Sequence, residues 1–272
     1  MASPDSSIMI PSGPDCVELH RAEALALPAA RVRTSFDLPL RVVVEEGHDT
    51  GEYARRYYAS SERVPGFDKV SFRVPAETPK RLLTLAAAAR EMCYVVTVGR
   101  GNTSLRAVFQ DGEKVLQRLT DDLGFWLDDG VDTDDDAAYA ALKDEHDDTL
   151  SIDRLSAALY DFARMGESLG SAMLAAGMET WDPTLPAQAL KLRDTLSTPV
   201  PPPDRADLDL RNRLLSILQA EVGVVRRTAA YLWARNHRDV YGLFASAWLR
   251  NKNLAAKRRA AKASETPDDA LF

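Results

Sequence analysis

Between residues 205 and 236 apolar side chains return at steps of four and three: Leu214, Leu218, Val222, Val225, Ala229 and Leu232. An α-helix gathers such positions on one narrow stripe, whereas a strand, with a period of two, scatters them over both faces. A helix of this kind needs another element to cover its stripe. The same spacing recurs upstream. Leu82, Leu85, Ala89, Met92 and Val96 follow Thr78-Pro79, a capping residue and a proline suited to a first helical turn. Leu105, Phe109, Leu116, Leu119 and Leu123 form the next stripe, with Gly112 as a weak point. Ile152, Leu155, Leu159, Phe162, Leu169 and Met173 form another, opened by Ser151 and Asp153 and closed near Gly177. Shorter helices are expected over 136–146, 186–197 and 240–249.

Several amphipathic helices without an alternating strand–helix pattern predict an all-α protein, a multi-helix antiparallel bundle. Residues 36–60 are ambiguous: Val42-Val43-Val44 suits a strand, but the continuation through Tyr57-Tyr58 reads as helix, weakened by Gly47 and Gly51. The expected organisation is an irregular leader over 1–35, a bundle over 36–249 and a flexible basic tail over 250–272. The leader carries four prolines and Gly13, with a short helical turn around 17–27. Within the bundle, an acidic loop is expected over 128–150 and a proline-rich connector over 197–204.

Charge is unevenly placed. The chain of 272 residues carries a net −7. Residues 111–148 hold fourteen Asp/Glu against three Lys/Arg, a formal −11. From Arg205 to the end there are thirteen Lys/Arg against seven Asp/Glu, a formal +6. Asp132, Asp134 and Asp136 alternate as in an EF-hand loop, but Ala137 stands where its glycine belongs and Lys143 where its glutamate belongs. A solvated, self-repelling loop is therefore expected, with no metal site.

Catalytic spacing is lacking. His20, His48, His146 and His237 form no HxxxH or HExxH pattern, and there is no GxSxG elbow. Gly99-Arg100-Gly101 lacks the remaining glycine of a phosphate loop. His237 is expected to end the long helix over 205–236, and His146 to be exposed. Cys93 lies in an apolar run and reads as buried. Cys16 reads as exposed, which fits a reducing compartment and a cytoplasmic location. No run approaches the ~20 apolar residues that span a bilayer, so no membrane partner is expected. No cofactor is implied.

The partner-binding candidates are Arg250, Lys252, Lys257, Arg258, Arg259 and Lys262, with Trp248 before them and Phe272 at the end. The last five residues, Asp268-Asp269-Ala270-Leu271-Phe272, resemble the acidic tip of bacterial single-stranded-DNA-binding proteins. The resemblance covers those five residues only, and the strand pattern of an OB-fold is absent. It implies docking of the terminal peptide. Tyr231, Trp233, Tyr241 and Phe244 make the C-terminal third unusually apolar, as core or as a partner-facing surface.

Three functional readings follow. The first is a non-enzymatic helical protein acting through contacts, with itself or with another protein. The second is a nucleic-acid-associated accessory protein using the basic tail. The third is an enzyme whose site is assembled from helices far apart in sequence.

Overall fold

A computed structural model of the chain describes residues 10–131, 133–197 and 202–246. Among them are nine α-helices and no strand: α1 Gly13–Ala26, α2 Leu40–Arg56, α3 Thr78–Val98, α4 Thr103–Leu127, α5 Asp134–Glu145, α6 Ile152–Ala175, α7 Leu185–Leu196, α8 Arg205–Trp233 and α9 Arg238–Phe244. Their starts follow capping chemistry. Asn102 accepts from the Leu105 amide, Ser151 from Arg154 and Asp204 from Ala206. Thr133 and Asp136 form a reciprocal capping box at the head of α5. Gly99 ends α3 and Gly177 follows α6, both with φ near +80°, a conformation that glycine adopts without a Cβ clash.

The helices build two apolar cores. The first is enclosed by α1, α2, α3, α8 and α9. At its base Trp233 is fully buried, 4.9 Å from Phe67 and 5.2 Å from Phe244 between ring centres. Its indole N–H donates to the Pro65 carbonyl at 2.8 Å, so the one polar atom of the ring is satisfied. The second core lies among α4, α6 and α7, with α5 at its margin. Here the Trp181 ring lies on Gly166 and Gly170, where an added Cβ would meet it at 3.1 and 3.0 Å. Among the described residues, only α3 supplies buried residues to both cores: Leu82 to Cys93 on one side, Tyr94 and Val98 on the other. Between α3 and α4 the chain turns by 114°.

The expected helices are present, with several corrections. The leader over 1–35 is not irregular throughout, since α1 occupies 13–26. Pro14 falls in its first turn, where a missing N–H costs nothing. Cys16 is not exposed: α1 packs against α3 and buries it completely, so burial pushes its thiol pKa up. Thr78 does not cap α3; the position before it is Glu77, and Thr78 is itself buried in the first turn. His237 does not end α8, which stops at Trp233. It precedes α9, and its amide donates to the Trp233 carbonyl at 2.9 Å. The 128–150 stretch is not a continuous loop, because α5 fills its middle. Within the described residues α9 spans 238–244; residues 247–249 of the expected helix lie outside them.

Glycines that weaken the helical reading of 36–60 are packing sites. An added Cβ at Gly47 would sit 2.8–2.9 Å from three atoms of the Leu218 side chain. Gly47 therefore sets how closely α2 approaches α8. Gly47→Ala is expected to overpack this contact by ~1–3 kcal/mol, offset by ~0.5–1 kcal/mol of helix propensity. Thermal unfolding by circular dichroism should show Tm lower by about 2–8 °C. Gly223→Ala, which meets only the far end of Arg227 at 3.3 Å, should leave Tm unchanged or raise it. Equal behaviour of the two variants would contradict the packing account.

Candidate functional site

Two regions combine exposure, charge and incomplete packing. The first is the surface of α4's C-terminal end, the loop after it and α5. No residue of α5 is buried. It is held by Tyr139 and Leu142, which pack against the second core; the Tyr139 hydroxyl donates to the Thr120 carbonyl at 2.7 Å and its ring meets Phe162 edge-on. Gly124 makes room for that hydroxyl, 2.7 Å from where its Cβ would be. Burial, and then Asp121, push the Tyr139 pKa up to about 12. After α5, His146 is not exposed: its side chain is 6% accessible, with Nε2 2.8 Å from Asp161. Around this anchored helix Asp121, Asp128, Asp129, Asp134, Asp135 and Glu145 are exposed. Among these carboxylates stand Phe125, 76% exposed, and Val131, 62% exposed.

Of the alternating aspartates, Asp134 and Asp136 lie in the first turn of α5, with Asp136 bound to Thr133; Asp132 lies outside the described residues. Three carboxylates in that turn favour the positive end of the helix dipole. Among the described residues no group of three His, Cys, Asp or Glu side chains is arranged to hold a metal ion.

The second region is a cleft of about 430 Å³ on the seam between the two cores, where α2, α3 and α4 meet. Arg41 on α2 spans the seam. Its Nε donates to Glu45 at 2.7 Å, one Nη to Gln117 on α4 at 3.1 Å, and the other to Thr149 at 3.3 Å. The Tyr94 hydroxyl donates to Glu113 Oε2 at 2.7 Å. On the ring's other side Arg106 lies 5.1 Å from its centre and grips the buried Glu91 with both nitrogens, at 2.6 and 2.5 Å. Burial raises the pKa of Glu113 against the lowering pull of Tyr94, Arg41 and Arg90; it raises that of Tyr94 too, helped by Glu113. Arg90 lines the same cleft and is exposed, with no hydrogen bond or ion pair among the described residues.

The partner-binding candidates Arg250, Lys252, Lys257, Arg258, Arg259, Lys262, Trp248 and Phe272 lie outside the described residues. The apolar excess of the C-terminal third is mostly core: Trp233, Val240 and Phe244 are buried, while Tyr231 is exposed. Arg100 forms no phosphate loop; its guanidinium pairs with Asp207 at the head of α8. The cleft residues were missed from sequence, although one signal was present. Glu113 stands four residues after Phe109 and three before Leu116, so an acid interrupts an otherwise apolar stripe.

Among the described residues no single helix is long and apolar enough to cross a membrane. No family model, curated protein or solved structure matches this chain.

The raised pKa of Glu113 has a sign. Its carboxyl ionises at the ordinary value in the unfolded chain and at a higher pH in the folded one. Stability linked to it is therefore full at acid pH and is lost as pH rises through the folded value. Glu113→Gln keeps an acceptor for the Tyr94 hydroxyl and removes this loss. Tm should rise near pH 7 and stay close to wild type at about pH 4. An equal shift at both pH values would refute the assignment.

Proposed function

We propose that this chain is a non-enzymatic helical contact protein, and that its α4–α5 face receives a basic segment from a second copy. The observation that carries the reading is the pairing of exposed Phe125, on α4, and Val131, in the loop after it, with the exposed carboxylates around them and on α5, a helix with no fully buried residue. A partner suited to such a surface brings cations at its rim and apolar side chains at its centre. The chain's own sequence offers that chemistry. Residues 250–262 hold six Lys/Arg and no Asp/Glu, and Trp248 stands two residues before Arg250. A helix held through the partly buried Tyr139 and Leu142, with no fully buried residue, can also adjust its position as a partner arrives. Two unpaired, buried cysteines support a reducing compartment, the cytoplasm, as the place of action.

The nucleic-acid reading uses the same tail and is separated by the same experiment. Light scattering across a salt series should give a mass above the 30.0 kDa monomer at low salt. The mass should fall toward the monomer as screening shortens to about 8 Å and below. Deleting residues 250–272 and, separately, Phe125→Ser should each restore the monomer at low salt. A mass that ignores salt and both changes rejects self-association. If the deletion instead abolishes a salt-sensitive gel shift with DNA or RNA and leaves the mass unchanged, the accessory-protein reading takes its place.

A further inference from the structure

The seam cleft differs electrostatically from the surface beside it. The chain is acidic overall, and α4 from Asp111 onward lies within its most acidic stretch. Yet the cleft is lined by four basic side chains against three carboxylates. The carboxylates are engaged. Glu45 holds Arg41, Asp121 accepts from Gln117 at 2.8 Å, and Glu113 accepts from Tyr94. Glu113 is also the one for which burial disfavours the charge. Of the cations, Lys114 pairs with Asp111 at 2.9 Å, and Arg118 lies 3.9 Å from Asp122 and from Asp182. Arg41 spends three N–H groups on Glu45, Gln117 and Thr149, which fix its plane. Arg90 stands at the mouth without a hydrogen-bond or ion-pair partner among the described residues. A guanidinium presents a planar fork that matches a carboxylate or a phosphate. The walls are apolar at Val44 and Leu150, and the volume is in the range of small-molecule sites.

We infer that this cleft binds a small oxyanion carried on a compact apolar body, with Arg90 as the principal anion contact and Arg41 as a fixed second one. The site shares Asp121 with the α4–α5 face, but Arg90 and Arg41 lie outside that face, and either reading can fail without the other. Because its walls come from α2, α3 and α4, a bound anion joins elements of both cores.

Isothermal titration calorimetry of the full chain in phosphate-free buffer tests the inference with two probes, phenyl phosphate and benzoate. At least one should bind saturably below about 10 mM. Arg90→Gln should weaken that binding by about tenfold or more. Arg73→Gln, which removes an exposed arginine elsewhere, should leave it unchanged. Arg90 is exposed, so the first variant is expected to fold, and its circular dichroism checks that. Preference for phenyl phosphate identifies a phosphate ligand, and preference for benzoate a carboxylate. No saturable heat with either probe overturns the inference. So does equal weakening by the two arginine substitutions, which assigns the effect to diffuse charge.

Discussion

A helix with apolar side chains on nearly every face must be covered on nearly every face, and α3 is that helix. Its buried residues run from Thr78 to Val98 and face two separate interiors. That demand explains why α1, α2 and α8 gather on one flank of it. It also explains why the second core begins where α3 ends. Covering one rod from two sides leaves a seam, and the seam is where the polar groups collect. Tyr94, Glu113, Arg41 and Gln117 meet there because each belongs to a helix whose other faces are already packed. The cleft is thus a product of the packing, and its chemistry is a product of which polar side chains the seam admits.

Several buried ionisable groups away from the seam are held in pairs, although Arg226 Nε and Asp122 Oδ2 are buried without a hydrogen-bond partner. Glu91 is held by both nitrogens of Arg106, and Asp207 by Arg100. Glu46 on α2 accepts from Arg226 on α8 at 2.8 Å and from the Ser246 hydroxyl, which ties the end of the described chain back to α2. His20 meets the Thr84 hydroxyl at 2.9 Å, and burial, with Arg81 nearby, lowers its pKa and favours the neutral ring. Burying a charge without a partner costs far more than the pair gains, so such links mark where the helices may sit. They specify register more than they add stability.

Much of the architecture was legible from spacing alone. The stripe Leu214, Leu218, Val222, Val225 and Ala229 marks α8, and Ser151 with the Ile152–Met173 stripe marks α6. What spacing could not reveal was which glycines are gaps and which are contacts. Gly47 reads as a helix breaker in one dimension and as a seat for Leu218 in three. Cys16 reads as exposed among prolines and glycine, yet one of those prolines starts the helix that buries it. His146 lies in an acidic run, but its partner Asp161 is fifteen residues away on α6. The cleft was illegible for the same reason: its residues are ordinary until α2, α3 and α4 bring Arg41, Tyr94 and Glu113 together.

One consequence follows from α5 having no fully buried residue. A substitution in α3 must satisfy two interiors at once, so few are tolerated there. Most substitutions in α5 need satisfy only water and the capping turn, with Tyr139 and Leu142 the exceptions. Mutational drift will therefore be slow in α3 and fast in α5. Related chains could share this framework while differing in what their outermost helix displays.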